Sequence, residues 1–164
     1  MTAPPIRSAP HPPDDAFSSA LAATIEEMVQ WAGANRDVAD IEIQSHAAFW
    51  RIEAQPRMPG ACPFEALLNQ DQTYSLVIAG EFYEKRPIDR LDFFAMMARA
   101  IAAGRVERIL TLSALTETLE AIETRIELED GWAWVAERRV GPRLRRGLEP
   151  DEERRVQRFL PYRR

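Results

Sequence analysis

The sequence predicts an α+β fold: a two-layer sandwich whose mainly antiparallel sheet of about six strands carries helices on one face, in the order α-β-β-β-α-β-β-β-α. Three observations predict it. Apolar residues recur at three- and four-residue intervals from Phe17 to Ala32, then switch to strict alternation near residue 40. The pair Asp130-Gly131 separates two further alternating runs. Residues 89–103 are apolar almost all round, a pattern a helix satisfies only when it is covered on more than one side.

The elements follow in chain order. Residues 1–14 hold five prolines and few large apolar side chains, which predicts an extended tail, because proline removes backbone donors. Phe17, Leu21, Ile25, Met28 and Ala32 form one stripe, Asp14 and Asp15 favour the helix N-terminus, and Gly33 with Asn35 offers a stop, so a helix is predicted over about 15–33. Ile41 and Ile43 alternate with Asp40, Glu42 and Gln44. After a turn near Ser45, Ala48, Trp50, Ile52 and Ala54 alternate with Phe49, Arg51 and Glu53, which predicts a hairpin. Pro56, Pro59, Gly60 and Pro63 punctuate the next stretch, with one or two helical turns expected at 64–69.

Thr73 to Phe82 reads as a single central strand, apolar on both faces. Asp89 is placed to cap a helix over 89–103, about 22 Å long at roughly 1.5 Å per residue. Strands are predicted near 106–114, 122–129 and 132–137, the last two joined by a type I′ turn at Asp130-Gly131. Gly141, Pro142 and Gly147 mark a linker. Pro150 followed by acids, with an Asp151–Arg155 pair four residues apart, predicts a C-terminal helix. The expected organisation is thus a tail over 1–14, one α+β domain over 15–140, and an arginine-rich linker and helix over 141–164.

At 164 residues, with 46% hydrophobic and 29% charged residues, the chain has the balance of one globular domain. No apolar run reaches the ~20 residues of a membrane-spanning helix, and no secretion signal pattern opens the chain, so a cytoplasmic protein with no membrane partner is expected. Cys62 is the sole cysteine, which excludes an intramolecular disulfide framework. Net charge is −5 but segregated: residues 137–164 hold ten arginines against five acids, and the other 136 residues hold 21 acids against 11 basic residues.

The motifs of P-loop, dinucleotide-binding, zinc-protease, serine-hydrolase and EF-hand chemistry are absent, so no cofactor or metal is expected. Cys62 and His46 could form a thiolate–imidazole pair only in hydrogen-bonding contact, and no charge flanks Cys62 to lower its pKa. Glu81 lies in line with Val77 and Ala79 on the apolar strand. Burial there would require a partner such as Lys85, Arg86 or Arg108. Arg143, Arg145, Arg146, Arg154, Arg155 and Arg158 could track an anionic partner.

The second face of helix 89–103 carries most of the functional expectation. Phe93, Met96, Met97 and Ala100 would be left over once one face met a single sheet, and a methionine–aromatic surface suits a contact site. In element order the chain is similar to the small acidic secretion chaperones of the type III class, which dimerise and bind an extended partner chain. The first expectation is therefore a non-enzymatic binding or adaptor protein, homodimeric through helix 89–103, meeting a protein or peptide partner along a sheet edge or the Trp132/Trp134 surface. The second is a small enzyme or ligand-binding protein with Glu81 or His46 in a pocket lined by Trp50, Tyr74, Trp132 and Trp134. A nucleic-acid-associated protein using the C-terminal arginines ranks third.

Overall fold

The computed structural model describes residues 14–140 and 152–164. The expectations for the proline-rich tail, the linker, and Arg143, Arg145 and Arg146 lie outside these residues. The element order is α1 (Asp14–Asn35), β1 (Ala39–Ser45), β2 (Phe49–Pro56), β3 (Phe64–Asn69), β4 (Thr73–Ile78), β5 (Glu81–Pro87), α2 (Phe93–Ala102), β6 (Val106–Ser113), β7 (Leu119–Glu127), β8 (Ala133–Arg139) and β9 (Glu152–Arg158). The α+β character holds, but there are two antiparallel sheets. One has five strands in the order β1-β2-β3-β4-β5, and the other has four in the order β8-β7-β6-β9.

Alternation builds the first sheet. Ile43, Ile52, Ala66, Leu76 and Tyr83 stand in register across it, one side chain per strand, on the core face. β3 corrects the helical turns expected at 64–69: Phe64, Ala66 and Leu68 are buried while Glu65, Leu67 and Asn69 are half-exposed, a period of two. The single strand expected over 73–82 is in fact β4 and the start of β5. Ala79 (φ 51°) and Gly80 (φ 85°) form a two-residue turn between Ile78 and Glu81, so the left-handed hairpin turn lies here. At Asp130-Gly131 only Gly131 has positive φ. Gly131 N–H donates to the Leu128 carbonyl and Leu128 N–H to that of Trp132, which is a type I turn with a bulge rather than type I′.

Helix α1 lays Phe17, Leu21, Met28, Trp31 and Ala32 on the core and ends where the Asn35 amide donates to the Trp31 carbonyl at 2.8 Å. Helix α2 starts at Phe93, after Asp92, whose side chain makes no capping bond, and is about 15 Å long. It packs against α1 and β7 and touches Tyr74 of the first sheet through Phe94, at a ring separation of 5.2 Å. Both of its faces are therefore covered. Phe93 and Met96 are 9% exposed, Ala100 1% and Met97 0%. The surplus apolar face expected for a dimer is buried within one chain, because the strands divide into two sheets and the second shelters what the first cannot.

The C-terminal helix is replaced by β9, which pairs with β6 from Glu107↔Arg158 to Ser113↔Glu152. The backbone groups along β6 that would otherwise face solvent outweigh one local charge pair and a favourable start. After β9 the chain folds back as a strap. Phe159 N–H donates to Val106, Leu160 N–H to Gly60 and Tyr162 N–H to Ala102, and the Tyr162 hydroxyl donates to the Cys62 carbonyl at 2.8 Å. Gly104 (φ 76°) makes this approach possible, since a Cβ there would stand 2.7 Å from the Pro161 nitrogen.

Candidate functional site

β5 brings the site together through an irregularity. Tyr74 pairs with Arg86 and Leu76 with Tyr83, so Ser75 alone stands opposite Glu84 and Lys85. This is a β-bulge. Lys85 takes φ 39°, a left-handed conformation that costs a residue with a Cβ about 1 kcal/mol or more, and its N–H donates to Ser75 Oγ at 3.1 Å. The extra residue reverses the parity of the strand. Glu81 and Tyr83 point to the core side and, past the bulge, so does Arg86. In a regular strand Lys85 would have taken that place.

Arg86 arrives against two rings, its guanidinium carbon 5.5 Å from the centroids of both Tyr83 and Trp134. Trp134 meets Tyr83 edge-on at 5.2 Å and donates its indole N–H to the Tyr74 hydroxyl at 3.3 Å. The Tyr83 hydroxyl donates to Thr124 Oγ1 at 2.6 Å, and burial raises its pKa, which fixes it as a neutral donor. Tyr74, Arg86 and Trp134, with Phe93, Leu128, Ala133, Val135 and the exposed Trp132, line an open cleft of about 530 Å3.

Trp132 is 68% exposed, yet its backbone is held. Its N–H donates to Asp130 Oδ1 at 3.1 Å, and Arg90 bridges Asp92 and Asp130 at 2.8 and 3.0 Å. The Trp132 N–H and then Arg90 hold the Asp130 carboxyl below its usual range, so it stays ionised at neutral pH. The loop carrying the exposed indole is thereby tied to the start of α2.

β8 runs along this cleft as an edge strand. Leu128 N–H bonds the Trp132 carbonyl and Val140 N–H the Glu120 carbonyl, so even-numbered residues turn their backbone groups to β7. Ala133 and Val135 consequently direct theirs outward. The four sheet edges differ in charge. β1 carries Asp40 and Glu42; β5 carries Glu81, Glu84, Lys85 and Arg86; β9 carries Glu152, Glu153, Arg154, Arg155 and Arg158. Residues 133–136 of β8 carry none, and charge begins only at Glu137.

The other expected site residues sit elsewhere. Trp50 is buried on the first sheet, outside the cleft lining, whereas Tyr74, Trp132 and Trp134 do meet there. Glu81 is buried, and its partner is Arg138 at 2.5 Å, with Arg108 at 4.0 Å, rather than Lys85 or Arg86. His46 is exposed at the β1–β2 hairpin, stacked on Phe49 at 4.8 Å. Cys62 is fully buried and burial pushes its thiol pKa up to about 12, which opposes nucleophilic use. Arg154 and Arg158 share one face of β9 with Arg155 on the other. Arg155 pairs with Glu153 at 2.8 Å and Arg158 with Glu107 at 2.9 Å, so the strand disperses the cluster that a helix would have gathered.

Among the described residues no group of three or more His, Cys, Asp or Glu is placed to hold a metal ion, and no helix is long and apolar enough to cross a membrane.

No family model, curated protein or solved structure matches the chain.

The element order also departs from the α-β-β-β-α-β-β-β-α order on which the similarity to type III secretion chaperones rested, with five strands between the helices and a strand at the C-terminus.

Proposed function

We propose that the chain is a non-enzymatic binding module that takes up an extended segment of a partner protein as an added strand on residues 133–136 of β8, with an apolar side chain of that segment seated in the adjoining cleft. The observation that carries this reading is the coincidence of an uncharged, outward-facing edge with an aromatic cleft at the same residues, Ala133 to Val135. Backbone hydrogen bonds to the outward groups of Ala133 and Val135 supply affinity, and the cleft selects every second side chain. A volume of about 530 Å3 accommodates one or two large side chains.

Glu81 and His46 are not among the cleft's lining residues, so the cleft reading does not call on them as acid or base. A dimer through α2 is not part of the proposal, because Phe93, Met96, Met97 and Ala100 are already covered.

The test is a selection of displayed random peptides on immobilised protein. Wild type should enrich sequences with large apolar residues at alternate positions. Trp132→Ala, or Val135→Pro, which removes an outward N–H, should abolish that enrichment. Failure of the wild type to enrich any peptide, or equal enrichment on both variants, would overturn the reading.

A further inference from the structure

We infer that the segment bound at β8 carries an acidic side chain, and that Arg86 recognises its carboxylate. The inference rests on the peptide-binding reading and adds a ligand chemistry to it.

Arg86 is a cation placed with unusual care. The bulge at Glu84–Lys85 turns it inward, and a left-handed Lys85 backbone is retained to do so. Two aromatic rings, set edge to face, lie 5.5 Å from its guanidinium carbon. Arg51, Arg57, Arg90, Arg99, Arg108, Arg138, Arg139, Arg155, Arg158 and Arg163 each form an ion pair with a carboxylate of this chain; among the described residues Arg86 forms none, nor do Arg36, Arg105, Arg125, Arg154 and Arg164, but of these six only Arg86 lines the aromatic cleft. The neighbouring cation of the cleft, Arg90, is already neutralised by Asp92 and Asp130, and both pairings raise its pKa.

Stacking leaves the edge of a guanidinium open, and that edge carries the paired N–H donors that match a carboxylate. Contact with the two rings therefore orients the fork without consuming it. The cleft walls exclude part of the solvent, which strengthens a charge-assisted bond formed there. The acid is a side chain rather than a chain terminus: residues 133–136 continue into the rest of β8, so a segment paired along them runs past the cleft instead of ending in it.

The experiment uses peptides selected on the wild-type protein, each synthesised with its acid and with the matching amide. On wild type, Glu→Gln or Asp→Asn in the peptide should weaken binding at least tenfold, and binding of the acidic form should weaken with added salt. On Arg86→Gln the acid and amide peptides should bind equally, with the salt dependence gone. Arg86→Lys should recover only part of the preference, since it keeps the charge and loses the fork. Thermal melts of both variants, together with binding of the amide peptide, show that fold and cleft persist. Peptides that bind wild type but show the same acid-to-amide ratio on Arg86→Gln would overturn the inference and leave the β8 reading standing. Absence of any selected peptide would overturn both.

Discussion

Two aromatic clusters of this molecule are built from the same residue types and differ in what closes them. In the first, Trp31 packs on Phe64 and Tyr162 at ring separations of 5.5 and 6.4 Å, all three are buried, and the Tyr162 hydroxyl bonds a backbone carbonyl. In the second, Tyr74, Tyr83, Phe93 and Trp134 are joined by a stacked arginine with no acid and by a tryptophan left in solvent, beside an unpaired strand edge. The C-terminal strap completes the first cluster; nothing among the described residues completes the second. Aromatic content alone marks a core. Aromatic content with an unmatched cation and an unmatched edge is the ground for the proposed binding site.

That contrast can be broken from either side. The largest effect belongs to the closed cluster: Tyr162→Ala should cost about 3–5 kcal/mol of stability, seen as a fall in Tm of roughly 10 °C or more. Its peptide affinity, measured well below the new Tm, should be unchanged. The mirror experiment is Trp132→Ala, which should leave stability within about 0.5 kcal/mol yet cost roughly 2 kcal/mol of binding, about thirtyfold in Kd by calorimetry. A Trp132 variant that melted like the Tyr162 variant would erase the distinction between the clusters.

Smaller still is Val135→Pro, which should weaken peptide binding about tenfold through one lost backbone donor, with the β7–β8 ladder kept. The smallest effect concerns Cys62. Its thiol pKa rises from an ordinary 9.0 to about 12 on burial, so the folded state holds the proton where the unfolded chain releases it. Stability from this group is full below pH 9 and is lost as the pH climbs toward 12. Between pH 8 and 9.5 the loss should be roughly 1 kcal/mol in denaturant titrations, and Cys62→Ala should flatten that part of the profile.

The cleft was partly legible in the sequence, and the physical reasons for the rest are local. Alternation placed Trp132 and Trp134 on a strand beside a turn, and helical spacing identified α1 and α2, because both patterns repeat over enough residues to be unambiguous. Six residues cannot separate a period of two from a period of 3.6, which is why β3 read as helical turns. β9 was hidden because its local signals favour a helix and only the distant edge of β6 makes it a strand. Arg86 was the least visible of all. By simple parity it points away from Tyr83, and no sequence signal announces a bulge carried by Glu84 and Lys85 rather than by glycine. Ala79-Gly80 might have been read as a hairpin turn had the apolar run 73–82 not masked it, and dividing that run would have exposed β5 as a strand of its own.

The central claim is that one edge, the uncharged half of β8, is where another chain pairs. Residue-resolved amide hydrogen exchange, with and without a peptide selected on the protein, tests it most directly. The amides of Ala133 and Val135 should slow markedly on binding while those along β1, β5 and β9 keep their rates. Slowing at another edge, or binding that leaves Ala133 and Val135 unprotected, would contradict it.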